Sequence, residues 1–477
     1  MPERLSALDA SFLYLEERSV VMHIGSVMVL ERPPDDVDAG DLARLIGARV
    51  AYIPRYRQRV RTVPGHLGNP VWVDDERFDL DLHVRRTALP RPGTRDQLTE
   101  LVARVQPRRL DRSRPLWEVY LVEGLEDGGL AIITKTHQAM VDGRSAVDLG
   151  QVLWDDAPGS AATPAPTFRP APEPTLVELV TGAVVDAVRR PPQVLETLRT
   201  GLGDARAGLR RAAGAASGLA RAASTAPAGA GGPLEVEVGE QRRYAVVDTA
   251  LEDYRRVRRA VREGAVPGAE LHDVVLAVLA GALRSWMLSR GLPLGPASAV
   301  RALVPLSVAP DEDDDAPPRP AGAVPPQVEG HLVDLPVGEP DPVVRLQQVV
   351  FSARRGEQRR RVGARELAGI AGFAPPTLHS LGVRVAGQVA HRLFTLVVTD
   401  VPGPQHPLYV GPVRMTGSYP VIPLLAGHAL AVGVNSYDGA VTFGLNADRD
   451  ALPDLAVLAE CVPEALAALL DAADGRR

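Results

Sequence analysis

One stretch concentrates side chains able to move protons: Leu130-Ala-Ile-Ile-Thr-Lys-Thr-His137-Gln138, followed by Ala-Met-Val-Asp142-Gly143-Arg144-Ser145. An imidazole titrates near neutrality, so it can take a proton from a hydroxyl and hold it for a leaving group. The apolar, β-branched run before His137 reads as an interior strand. Asp142-Gly143 reads as a turn, and Ser145 as the N-cap of a following helix. A strand end beside a helix start is where α/β enzymes often keep polar working groups. One His and one Asp five residues apart fit equally well an Asp142 that only fixes the turn through its own backbone.

The elements that must position these residues fall into three parts. Residues 1–155 mix β-rich runs (Gly25 to Leu30, Val71 to Val73, Leu130 to Thr136) with a helical stretch, Gln97 to Val105, which implies α/β layers. Residues 156–234 read as a linker. Prolines recur from Ala157 to Pro174, then Leu176, Val180, Val184 and Val188 mark one helical face ended by Pro191-Pro192, and Arg, Ala and Gly dominate to Pro233. That last stretch is either a loosely packed connection or an arginine-rich amphipathic helix on a lipid surface, and the composition favours the connection. Residues 235–477 form a second domain. There Leu271 to Leu283 is a buried helix, Val300 to Val308 and Leu393 to Thr399 are interior strands, and Asp311 to Asp315 is an acidic loop. Ala429 to Asn435 and Ala440 to Leu445 form a hairpin about Tyr437-Asp438-Gly439, and Leu452 to Leu470 is a closing amphipathic helix.

With 53 basic against 59 acidic side chains, the net charge of −6 excludes a strongly basic nucleic-acid binder. Lys135 is the single lysine, and Cys461, the single cysteine, allows neither an internal disulfide nor a cysteine-built metal site. Met1 to Leu30 shows no secretory signal. The longest apolar run, Val274 to Leu283, stops at Arg284, short of the roughly 18 residues that a membrane span needs. The expectation is a cytoplasmic protein, with room for peripheral contact with a membrane. No Walker loop or GxSxG elbow is present, and His23, His83, His379, His391 and His428 lack metal-ligand spacing and read as structural.

Taken in order, the motifs resemble those of the bacterial wax ester synthase/diacylglycerol acyltransferase family, within the CoA-dependent acyltransferase superfamily. The segment ending in Asp142-Gly143 is similar to the HHxxxDG motif. Leu5-Ser-Ala-Leu-Asp-Ala-Ser-Phe12 is similar to the family's opening, followed by Met22-His23-Ile24-Gly25 and by Pro115-Leu116-Trp117. His272-Asp273-Val274-Val275 falls where the family has Asn-Asp, and Arg301-Ala-Leu-Val-Pro305, Val401-Pro-Gly-Pro404, Tyr419-Pro420 and Ser436-Tyr-Asp-Gly439 complete the series. The resemblance implies an α/β protein of two chloramphenicol-acetyltransferase-like domains, with mixed sheets, flanking helices and an active-site channel between them. It implies transfer of a long acyl chain from acyl-CoA, the co-substrate, to diacylglycerol or a fatty alcohol, giving triacylglycerol or wax ester. The second His of the motif would be the base and the Asp structural, with no metal and no further cofactor. Partners would be acyl-CoA and a neutral-lipid or alcohol acceptor, with peripheral contact to membranes or lipid droplets and none to nucleic acid. Pro115, Leu116, Trp117, Asp273, Tyr419 and Ser436 are the implied substrate contacts. The basic runs Pro54 to Arg59 and Arg354 to Arg361 either meet CoA phosphates or are solvated faces, the commoner case.

The sequence departs from the family pattern where chemistry is expected. The base position holds Gln138, and a carboxamide accepts no proton at physiological pH. General base catalysis contributes about 10²- to 10⁴-fold, so its loss leaves Gln138 to orient the alcohol only. If the strand persists, His137 points away from Gln138 and packs behind the site; a kink would turn it inward. His272 replaces the family's Asn, and a group able to take the proton is thereby gained across the domain interface. Asp400 also stands for Asn, Pro325-Pro326 replaces Gly-Asn before Gln327-Val328, and Leu234-Glu235-Val236 replaces Leu-Asn-Gly. The catalytic candidates are therefore His137, Gln138, Asp142, Gly143 and His272. Three functions compete: an acyltransferase working largely by positioning, a homologue that binds acyl-CoA or neutral lipid without turnover, and an acyltransferase with another acceptor such as an amine.

Overall fold

The computed structural model describes residues 2–64, 68–141, 152–159, 168–189, 232–262, 264–308, 327–355 and 394–475. Asp142, Gly143, Ser145, the acidic run 311–315 and most of the arginine-rich stretch before Pro233 lie outside them.

Two six-stranded mixed sheets organise the chain. The first part supplies β1 (His23–Leu30), β2 (Gln58–Arg61), β3 (Val71–Asp74), β4 (Val84–Ala88), β5 (Trp117–Glu123) and β6 (Leu130–His137). The second supplies β7 (Arg242–Ala250), β8 (Val300–Val308), β9 (Gln327–Leu335), β10 (Leu396–Pro402), β11 (Tyr409–Val410), β12 (Val413–Val421), β13 (Leu430–Tyr437) and β14 (Ala440–Asp448). One sheet runs β11-β12-β1-β6-β5-β4, the other β7-β14-β13-β10-β8-β9, and β2 with β3 makes a small ribbon. All eight residues of β6 are buried, which suits its apolar and threonine run, interrupted only by Lys135 before His137.

Helices cover the sheets: α1 (Ala7–Leu15), α2 (Ala39–Val50), α3 (Arg95–Val105), α4 (Leu176–Arg189), α5 (Leu251–Arg262), α6 (Leu271–Ser289), α7 (residues 342–355) and α8 (Leu455–Asp474). Capping boxes start α2 at Asp38 and α3 at Thr94, and α3 buries Leu98, Val102 and Val105 at helical spacing. Helix α6 runs six residues beyond the expected Leu283. It is long and apolar enough to cross a bilayer, yet most of it is buried in the core. The hairpin β13–β14 closes through Asp438 (φ 43°) and Gly439 (φ 85°), two left-handed residues that suit the strand twist. The strand expected over Leu393 to Thr399 lies further along, at β10.

The sheets do not divide where the linker divides the sequence. Strand β12, far beyond the linker, pairs antiparallel with β1 from Gly25↔Val421 to Val29↔Gly417. The same strand lies across the second sheet. Thr442 Oγ1, Tyr244 Oη and Asn446 Nδ2 donate to the alternate carbonyls of Ser418, Pro420 and Ile422, at 2.6, 2.9 and 2.7 Å. Glycines make this approach possible. Gly433 and Gly444 face each other on β13 and β14, and an added Cβ would meet Pro420 Cβ at 2.6 Å or Pro420 O at 1.9 Å. We expect Gly444→Ala to lower unfolding free energy by about 1–3 kcal/mol in a urea titration, the usual cost of overpacking. Gly295→Ala, whose added Cβ meets nothing nearer than 4.0 Å, should change it by less than about 0.5 kcal/mol.

Candidate active site

Strand β6 ends at His137, opposite His23 on β1, and a 3₁₀ turn over Gln138–Met140 follows at once. The Gln138 N–H donates to Met22 O at 2.9 Å, and its carboxamide, half-buried, has no hydrogen-bond partner among the described residues. The His137 ring is packed in the core, with 1% of its surface exposed. Its Nδ1 accepts from the Ala139 N–H at 3.1 Å, which in the neutral ring places the proton on Nε2. That Nε2 is buried without a partner among the described residues.

The ring lies edge-on to His23, centroids 5.9 Å apart, and His23 Nε2 stands 3.3 Å from Glu16. Burial pushes the His137 imidazole down to about 3, and the neighbouring His23 adds to the shift. Burial alone would raise the Glu16 carboxyl, but contacts from His23 and Arg112 outweigh it and hold it well below the usual range. A ring so reluctant to protonate, with its δ-nitrogen occupied, is a poor base. Its geometry is that of a residue that caps the turn. Asp142 and Gly143 lie outside the described residues.

The Pro115-Leu116-Trp117 segment sits in the core beside this strand end, Leu116 and Trp117 with no exposed surface. The Trp117 indole N–H donates to Tyr56 O at 2.8 Å, and the ring stacks on His83 at 4.6 Å. Leu116 O accepts from the His137 N–H at 2.9 Å, so the segment holds the end of β6 in place. Lys135, fully buried two residues earlier, donates to Val105 O at the end of α3 and to Arg108 O beyond it, and burial lowers its ammonium to about 8.

On the C-terminal side, two of the departures meet. His272, in the first turn of α6, donates from Nδ1 to Asp400 Oδ2 on β10 at 2.7 Å, across 128 residues of sequence. Both line a cleft of about 530 Å³ with Arg258 and Arg262 of α5, Glu270, Asn435 and Ser436. Ser436 Oγ accepts from the Gly403 N–H and from Gln405 Nε2. Asp273 points back along its own helix, accepting the Glu270 N–H at 2.9 Å. Tyr419 is buried between the sheets, its hydroxyl accepting from Arg95, which also pairs with Asp248.

The structure thus gathers His272, Asp400 and Ser436 in one cleft, whose described lining includes neither His137, Gln138 nor Tyr419. Two residues of that lining, Arg258 and Arg262, were not singled out from the sequence. Their i, i+4 spacing on one helix face is the signal that would have shown them.

Residues 5–266 match the model of the wax ester synthase/diacylglycerol acyltransferase catalytic domain, and residues 327–470 match the C-terminal domain of the same family. The chain belongs to this family. It is 33% identical over 476 residues to the probable diacylglycerol O-acyltransferase tgs1 of Mycobacterium tuberculosis, covering 98% of this chain and 95% of that protein. The probable diacylglycerol O-acyltransferase tgs3 of the same species is 41% identical over 269 residues, 54% of this chain and 96% of the relative. Among solved structures, the wax ester synthase/diacylglycerol acyltransferase of Marinobacter aquaeolei VT8 superposes with a TM-score of 0.67 at 26% identity, covering 98% and 99% of the two chains. The starter condensation domain of rhizomide synthetase, 15% identical with a TM-score of 0.53, shares the fold. The two-domain acyltransferase architecture expected from the motifs is therefore that of the protein, and its family uses acyl-CoA as co-substrate.

The buried His137 makes a pH prediction. Its folded value lies below its ordinary one of 6.5, so the unfolded chain binds a proton that the folded chain refuses. Its contribution is fully present above pH 6.5 and lost as pH falls toward 3. Unfolding free energy should therefore fall across this window, by at most about 1.4 kcal/mol per pH unit for one proton. His137→Asn, which keeps an acceptor for the Ala139 N–H, should flatten that slope, and equal slopes in urea titrations between pH 7 and 4 would contradict the assignment.

Proposed function

We propose that this protein transfers a long acyl group from acyl-CoA to the hydroxyl of diacylglycerol or of a fatty alcohol, releasing CoA and forming triacylglycerol or wax ester. The observation that carries this reading is the match of both halves of the chain to one acyltransferase family, over nearly the full length of relatives named as diacylglycerol O-acyltransferases. The acceptor is a neutral lipid, which suits work in the cytoplasm at the surface of a membrane or lipid droplet.

In this reading Gln138 orients the acceptor through its carboxamide, which has no partner among the described residues, while Asp142 and Gly143 keep the structural role that the family motif implies. Pro115, Leu116 and Trp117 act by fixing the strand end. Asp273 holds the first turn of α6, Tyr419 braces the two sheets, and Ser436 lines the path of substrate. Holding both reactants in register supplies a large part of the rate.

Gln138 itself favours a second reading, a homologue that binds acyl-CoA or neutral lipid without turnover. CoA release from palmitoyl-CoA separates the two. Release that depends on added diacylglycerol or hexadecanol is the expected result. A rate no higher than without acceptor, alongside saturable binding of palmitoyl-CoA, would establish the binding protein instead.

A further inference from the structure

His137 and His272 hold opposite tautomers. His137 accepts at Nδ1 and so carries its proton on Nε2. His272 faces a carboxylate at Nδ1, which keeps the proton there and leaves the Nε2 lone pair free, with no partner among the described residues. A carboxylate that holds one ring nitrogen while the other stays free is the arrangement in which an imidazole works as a general base. His272 and its partner Asp400 retain some exposure, 22% and 18% of their side-chain surface, so a substrate can reach the ring.

We infer that the His272–Asp400 pair is the proton acceptor for acyl transfer in this protein, in place of the base missing at position 138. The inference rests on the acyltransferase reading above. His272 Nε2 removes the hydroxyl proton as the acceptor oxygen bonds to the thioester carbonyl carbon. When the tetrahedral intermediate collapses, the C–S bond breaks and the CoA sulfur leaves with the proton from the imidazolium. Acyl-CoA and alcohol thus become ester and CoA, and the ring returns to its starting state. His272 is the catalytic residue, and Asp400 is a positioning residue that fixes the tautomer and stabilises the imidazolium.

Charge in the cleft fits the donor. Arg258 and Arg262, one turn apart on α5, line the same cleft and make no ion pair among the described residues. Cations left unneutralised beside the dyad suit the phosphates of CoA. The charged groups that face His272 are Asp400 from β10, Arg258 and Arg262 from α5, and Glu270 and Asp273 on its own helix, with Arg354 of α7 beyond Asp273.

The test uses the full-length protein, palmitoyl-CoA, and diacylglycerol or hexadecanol, with acceptor-dependent CoA release followed from pH 5 to 9. In the natural protein kcat/KM should rise with pH through a single imidazole titration. His272→Asn should lower the plateau about 10²- to 10⁴-fold and abolish that limb. Asp400→Asn should lower the plateau at least tenfold and move the limb to lower pH, because the carboxylate no longer favours the imidazolium. The variant with His272→Asn, Asp400→Asn and Gln138→His should regain rate to within about tenfold of the natural protein, which shows that the loss is chemical and not a failure to fold. If the natural protein transfers acyl groups and both single variants keep its rate and pH profile within about twofold, the dyad is overturned and the acyltransferase reading stands. If the natural protein shows no acceptor-dependent release, the reading falls and takes the dyad with it.

Discussion

Strand β12 is the constraint on which the rest of the arrangement depends. Its backbone pairs with β1 in one sheet while three side chains of the other, Thr442, Tyr244 and Asn446, donate to its alternate carbonyls. A strand normally leaves the carbonyls of one edge to the next strand, and here fixed side chains satisfy them instead. Two facing glycines bring the β13–β14 pair close enough for this to work. The sheets are thereby locked in register, and β6, which pairs with β1, is held against elements more than 270 residues away. Position 138 just after β6 and the dyad between the start of α6 and β10 are fixed in one framework.

Within that framework, burial has sorted the histidines. His137 has lost its water, its δ-nitrogen and its readiness to protonate, and its surroundings of His23 and Glu16 hold it as part of the core. His272 has kept water access and gained a carboxylate. Side chains of one type thus do different work because one ring nitrogen accepts from a backbone amide and the other donates to an acid. The Gln at position 138 is chemically inert as a base, so proton transfer falls to the ring whose lone pair is free.

Much of the fold was legible in the residues themselves. The β-branched run ending at His137, the apolar face of α6 and the Tyr437-Asp438-Gly439 turn each carry their periodicity or turn chemistry locally, and each formed the element expected. The crossing of β12 was not legible, because its pairing with β1 depends on tertiary register and no local pattern records it. The site was half legible. Gln138, His272 and Asp400 stood out one by one as departures from the family pattern, but their separation of 128 residues hid that two of them touch. Trp117 shows the converse limit, since a motif tryptophan reads as a substrate contact until its indole is found bonded to Tyr56 O inside the core.

A crystal structure of the protein with a non-transferable palmitoyl-CoA analogue and a long-chain alcohol would show which group receives the hydroxyl proton. The alcohol oxygen should lie within about 2.6–3.2 Å of His272 Nε2, with the thioester carbon beside it and the His272–Asp400 bond intact. An alcohol oxygen bound out of hydrogen-bond reach of His272 Nε2, with that nitrogen still facing solvent, would contradict it.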